Sequence, residues 1–385
     1  MSNAMPKGVS KVKRKRSYIG AKSEVHVRFP AQFDDFFATT CRQYESELVD
    51  ARARLAKLEL PEELRAHYHF AVLEHDQPSF MLLPLMYLNL ADRMGGVTEK
   101  HRAYLPWFML SSEIVAVLDD AIDRAAKRSD HQTFADRYGL VELLPFSHFM
   151  LATVIAQIAD TIPEAVGPMA RSFVDLCGLE TIEVATRYAK PDPIYFERLL
   201  RVHHEQARGA VAHAHDVALM FHGRVDFPHS LSILMGDLMQ DVDDLVNFME
   251  ERDLVGENDD LSLGTVTYLL LSTLRADPGF AATLDAMWAP YREAAATSRA
   301  ALNPALRRCD LESEDARAAV RRAVAIHGVP ATLEKIHADA ERCISSAPPE
   351  FRGYAEDVCG AFLHRLRRTP RLREVESAPK TGTDR

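Results

Sequence analysis

The chain has 385 residues, 47% of them hydrophobic and 26% charged, with a formal net charge of −10. This is the composition of a globular protein with a sizeable core, and it argues against both disorder and membrane insertion. The acidic balance disfavours nucleic acid as the main partner, because such binding rests on neutralising phosphates with Lys and Arg.

At the start, Met1-Ser2-Asn3-Ala4 ahead of Met5 has the form of an expression scar. The basic run of Lys11, Lys13, Arg14, Lys15 and Arg16 has little hydrophobic patterning and reads as a solvated, disordered arm. Residues 1–30 are set apart on that basis, and with no apolar signal segment a cytoplasmic location is expected. Residues 31–367 read as one domain and 368–385 as a polar, disordered tail. Apolar residues recurring at three and four positions predict helices near 31–57, 61–75, 79–93, 99–128, 138–160, 164–188, 192–222, 228–251, 260–274, 279–302, 312–345 and 348–367. No strand is predicted. Gly95-Gly96, Pro191, Pro193 and Asp277-Pro278-Gly279 mark breaks.

The apolar stretch from Leu143 to Ala159 is interrupted by Pro145, Ser147, His148 and Gln157, so it predicts a buried helix and not a stable membrane insertion. Cys41, Cys177, Cys309, Cys343 and Cys359 are odd in number and lack a CxxC pair, which argues for free buried thiols. His203, His204, His213 and His215 share a predicted helix without the spacing of a zinc or iron site, and surface or interfacial positions are expected.

Two acidic clusters carry the chemistry. In the first, Asp119, Asp120 and Asp123 end an apolar run that begins at Glu113, and Asp119 and Asp123 fall one turn apart on one helix face. Like charges so placed repel, and a divalent cation would offset them. In the second, Gln240, Asp243 or Asp244, Asn247 and Glu251 lie on successive turns of another helix. If the two helices face each other they form a carboxylate-lined cleft for several Mg²⁺ ions and a diphosphate.

The segment Leu118-Asp119-Asp120-Ala121-Ile122-Asp123 resembles the first aspartate-rich motif, DDxxD, of the polyprenyl synthetase (trans-isoprenyl diphosphate synthase) family. Met239-Gln240-Asp241-Val242-Asp243-Asp244-Leu245-Val246-Asn247-Phe248 is similar to the second, usually FQxxDDxxDF. Pro84, Gly95-Gly96, the pair Lys127-Arg128 and the segment from Asp260 to Thr267 fit the family's order, so the resemblance runs from about residue 78 to 275. It implies an all-α isoprenoid (terpenoid) synthase bundle of ten or more long helices around a deep central cavity. It also implies a prenyl diphosphate substrate, Mg²⁺ as cofactor and a homodimer.

By this resemblance the catalytic set is Asp119, Asp120, Asp123, Asp243 and Asp244. The metal set is Asp119, Asp123, Asp243, Asn247 and Glu251, the last three also resembling the metal triad of class I terpene cyclases, with Lys127, Arg128 and Gln240 at the diphosphate; Arg201 of the 192–222 helix is added there as a cationic donor, with Arg198 and Arg208 as further candidates on that helix. Two departures stand out. The cations that elongating members place before the proline are replaced by Phe80-Met81-Leu82-Leu83, and a later lysine is replaced by Thr265. Neither Phe nor Leu can hold a second diphosphate. The sequence therefore leans to a terpene cyclase or diphosphate lyase acting on a C15 or C20 substrate. The alternatives are a chain-elongating prenyltransferase using isopentenyl diphosphate and a non-catalytic partner subunit. Trp107, Phe108, Phe146 and Phe149 are expected near the cavity, and the medium-sized Ile114 and Val115 suggest a deep pocket.

Overall fold

The structure is a computed structural model that describes residues 36–74, 81–128, 131–250, 260–297, 313–369 and 372. The scar, the basic arm, Phe80, Glu251, Cys309 and most of the expected tail lie outside the described residues. What is described is almost wholly helical: α1 (Phe36–Gln43), α2 (Glu45–Ala56), α3 (Glu62–Tyr68), α4 (Leu82–Arg93), α5 (Glu99–Ile122), α6 (Phe134–Tyr138), α7 (Leu140–Thr161) and α8 (Val166–Thr186). The second half continues as α9 (Pro193–Met220), α10 (His229–Glu250), α11 (Asp260–Leu263), α12 (Tyr268–Ala276), α13 (Phe280–Thr297), α14 (Glu314–Ala323), α15 (Val329–Ser346) and α16 (Pro349–Arg368).

The long predicted helices appear within a few residues of their expected ends, and the differences have local causes. The expected 99–128 helix stops at Ile122, because Arg124 adopts a left-handed backbone with φ 54°. The chain then doubles back through two short strands, β1 (Lys127–Arg128) and β2 (His131–Gln132), paired antiparallel. The expectation of no strand therefore fails here. The expected 260–274 helix is split at Gly264, whose φ of +74° suits glycine. The expected 312–345 helix is interrupted by a π-helical turn at Val324–Gly328 between α14 and α15.

α9 lies at the centre, packed against α4, α8, α10 and α12. Its contact with α10 is close: a Cβ added to Gly236 would sit 2.6 Å from the Arg208 Cα, so only glycine lets the two backbones approach. α7 departs from its expected burial. Among the described residues it is the one helix long and apolar enough to cross a membrane by length and composition, yet only 33% of that apolar window is buried. Leu144 and Phe149 stand on its exposed side, so Phe149 does not join the core that holds Trp107, Phe108 and Phe146.

The α9 histidines are all buried, contrary to the surface reading. His215 touches the Ser232 hydroxyl at 2.9 Å and the Tyr354 hydroxyl at 2.7 Å, and His213 contacts the Tyr104 hydroxyl at 2.7 Å. Burial among neutral partners lowers His213 to about 4 and His215 to about 3. A depressed imidazole binds its proton more weakly in the native state. The stability it contributes is full above the unfolded value near 6.5 and is lost as pH falls toward the folded value. Replacing His215 by Gln is therefore expected to remove about one proton from the uptake on unfolding at pH 5, which flattens the acid limb by ~1.4 kcal/mol per pH unit. Urea titrations of both proteins between pH 5 and 8 check this; parallel curves would refute it.

Candidate functional site

The hairpin that ends α5 brings Arg128 over the first acidic cluster. Its Nε donates to Asp120 Oδ1 and its Nη2 to Asp119 Oδ2, each at 2.6 Å, a completed two-pronged fork. Asp120 is buried, Asp119 is 37% exposed at its side chain, and Lys127 beside the fork is exposed. Asp123 is buried and accepts from Arg187 Nη2 at 2.6 Å. Arg187 follows the last residue of α8 and was not among the sequence candidates.

α8 also supplies two glutamates to this cluster. Loss of hydration, with repulsion from Asp119, Glu183 and Asp123, pushes Glu180 up to about 8. Loss of hydration and the neighbouring Asp123 likewise raise the Asp119 carboxyl. Glu183 is held below the ordinary range: burial would raise it, but His203 and Arg187 outweigh that effect. Thr265, at the position of the missing lysine, donates to Glu183 Oε1 at 3.3 Å, and Gln206 donates to Oε2 at 2.8 Å.

His203 joins the two clusters. Nδ1 lies 3.1 Å from Glu183 Oε2 and Nε2 lies 3.2 Å from Asp244 Oδ1. Both partners are carboxylates, so both ring nitrogens donate and the ring is an imidazolium. Burial alone would lower its pKa, and the two carboxylates raise it well above the ordinary value. Ion pairs thus join Asp123 to Arg187, and Glu183 through His203 to Asp244, while Arg187 and Glu183 attract each other electrostatically without a direct bond.

On α10, Gln240 Nε2 donates to Asp244 Oδ1 at 2.7 Å, and Asn247 Nδ2 donates to Asp243 Oδ2 at 3.1 Å. Arg365 of α16 reaches Asp243 Oδ1 at 2.7 Å, and Lys335 of α15 reaches Asp241 Oδ2 at 2.5 Å. One turn earlier, Arg208 and His204 hold Asp237. Glu251 lies outside the described residues. Arg201 requires correction: its side chain is 68% exposed and pairs with Glu197 on its own helix, off the face that carries His203 and His204. Arg198 is exposed as well.

Among the described residues no three His, Cys, Asp or Glu side chains already converge as a metal cage. The donors nevertheless suit a hard divalent cation. They are oxygens throughout, and Asp244 Oδ2 and Asn247 Oδ1 are buried acceptors without a hydrogen-bond partner. Mg²⁺ is commonly held by one or two carboxylates together with substrate phosphates, so it needs no cage made entirely of protein. His203, Glu180, Glu183, Arg187, Lys335 and Arg365 carried no motif signal. Their part in the site arises from contacts between helices.

Comparison with known structures finds the same fold. The decaprenyl diphosphate synthase from Rhodobacter capsulatus is similar with a TM-score of 0.66 at 13% identity, covering 85% of this chain and 98% of that one. A polyprenyl synthase from Caulobacter crescentus CB15, complexed with calcium and isoprenyl diphosphate, aligns with a TM-score of 0.65 at 15% identity, over 84% and 96%. The heptaprenyl diphosphate synthase from Staphylococcus aureus gives 0.63 at 15%, over 82% and 98%. No curated protein matches significantly. Residues 87–303, more than half of the chain and the span of both acidic motifs, match the polyprenyl synthetase family. The chain belongs to that family and is an enzyme of the class I isoprenoid synthase type.

Proposed function

We propose that the protein is a Mg²⁺-dependent prenyltransferase that ionises an allylic C15 or C20 prenyl diphosphate and extends it with isopentenyl diphosphate. The observation that carries the ionisation step is the gathering of acids from the end of α5, from α8 and from α10 around Arg128, Arg187 and His203, with Asp244 Oδ2 and Asn247 Oδ1 left as unmet acceptors. Elongation is supported over the cyclase leaning of the sequence by the family match and by similar structures that are prenyl diphosphate synthases.

Asp119, Asp123, Asp243, Asn247 and Glu251 are the residues to hold the metal. When bound, the cation supplies Lewis-acid stabilisation of the charge that grows on the diphosphate as the allylic C–O bond breaks. Arg128 and Lys127 stand beside Asp119 as donors for the leaving diphosphate, and Gln240 keeps Asp244 oriented. Apolar side chains such as Trp107 and Phe108 belong to the core that would keep water from a cation.

One observation favours cyclisation or diphosphate release as a second reading. Met81, Leu82 and Leu83 offer no charge before Pro84, and Thr265 is spent on Glu183. The deciding experiment supplies geranyl, farnesyl and geranylgeranyl diphosphates with Mg²⁺, each with and without isopentenyl diphosphate. A longer prenyl diphosphate formed only with isopentenyl diphosphate is expected. A hydrocarbon or alcohol made without it would establish the cyclase reading, and no turnover at all would favour a partner subunit. Asn247→Ala is expected to raise the Mg²⁺ concentration for half-maximal rate by roughly tenfold, the loss of one ligand worth ~1.4 kcal/mol; an unchanged requirement would remove Asn247 from the metal set.

The bare apolar side chains Leu144 and Phe149 on α7 and Val174 and Ile182 on α8 suit burial against a second copy of the chain. A homodimer is the proposed assembly. Sedimentation should give about twice the monomer mass, with Leu144→Glu and Val174→Glu together shifting it to the monomer; an unshifted dimer would place the interface elsewhere.

A further inference from the structure

We infer that Arg187 is a diphosphate-binding residue of this site, an assignment that rests on the proposed function. The argument begins with its guanidinium. Nη2 bonds Asp123 Oδ1 at 2.6 Å and Nη1 reaches the Ile122 carbonyl at 3.3 Å, while Nε is buried and has no hydrogen-bond partner. Nε and Nη2 form one edge of the guanidinium, the edge that grips two oxygens of a carboxylate or phosphate side by side. Arg128 uses that edge in full on Asp120 and Asp119. Arg187 uses half of it.

An unmet N–H on a side chain only 11% exposed is costly to leave unused. Its surroundings name the missing acceptor. Arg187 lies within the electrostatic reach of Asp123, Glu183 and Glu180, the acids gathered at the first cluster. Asp123 is one of the carboxylates assigned to the metal. An oxyanion arriving with a divalent cation would take the Nε and Nη2 donors as Asp123 turns to the cation. A diphosphate has the paired oxygens that such an edge requires.

The mount of Arg187 is rigid. The next residue, Tyr188, adopts φ 57°, a left-handed backbone that a bulky side chain rarely takes. Its N–H donates to the Gly264 carbonyl at 3.0 Å and its hydroxyl to the Ser262 carbonyl at 2.9 Å. Its ring stacks on Tyr291 with centroids 4.6 Å apart, and Arg292 Nη1 donates to its carbonyl at 3.0 Å. A Cβ on Gly264 would fall 2.5 Å from the Tyr188 nitrogen, so the clasp requires glycine there. Strain held by this many contacts beside Arg187 fits a positioned binding group.

Calorimetric titration of inorganic diphosphate with saturating Mg²⁺ tests the assignment in the wild-type chain, Arg187→Lys, Arg187→Gln and the exposed control Arg201→Gln. Lysine keeps the charge beside Asp123, and so the fold, but offers no fork. Both Arg187 variants are expected to bind diphosphate roughly 10- to 100-fold more weakly, with Arg201→Gln unchanged. Arg187→Lys binding as tightly as wild type would reduce Arg187 to a structural partner of Asp123 and overturn this inference alone. Failure of the wild-type chain to bind diphosphate would overturn the proposed function with it.

Discussion

Carboxylates that leave water must find positive charge, and this constraint organises the centre of the molecule. Asp119 and Asp120 share Arg128, Asp123 takes Arg187, Asp244 takes His203, Asp243 takes Arg365 and Asp241 takes Lys335. Each cation comes from a different element than the acid it meets, so the pairs also lock helices together. The hairpin after α5, the end of α8, the face of α9 and the last two long helices all converge on acids of α5 and α10. Buried pairs of this kind seldom add much net stability, since desolvation offsets most of the attraction. Their value lies in holding acids at close range without unfolding the bundle.

The compensation is uneven. Around Asp237 it is complete: burial would raise that carboxyl, yet His204 and Arg208 hold it down to about 2. Around Asp119 and Glu180 it falls short, and both carboxyls rise. A region where acids outweigh their counter-charges, beside one that is fully paired, is where an added cation gains most. The same contrast separates the two ends of α9. Its later histidines, His213 and His215, sit neutral among hydroxyls, whereas His203 is charged between two acids.

Much of this was legible in the chain itself. Helical periodicity placed nearly every long helix, and the spacing of Asp119 with Asp123 and of Asp243 with Asn247 placed the acids on common faces. Local pattern could not foresee contacts made at long range. Nothing about Arg187 or Arg365 distinguishes them in sequence from Arg201, which lies in the solvent; only the path of the backbone separates them. His203 was hidden for the same reason, since its partners are 20 and 41 residues away. The hairpin at Lys127 and Arg128 was missed because two residues are too few to show strand alternation.

Lys335 and Arg365 lie beyond residue 303, where the family match ends, yet they hold Asp241 and Asp243 of the second acidic cluster. The end of the family match is therefore not the end of the packed unit. Trimming the chain after the matched region would strip counter-charges from acids about a hundred residues upstream. Such a change would act on the second acidic cluster although it is made at the far end of the polypeptide.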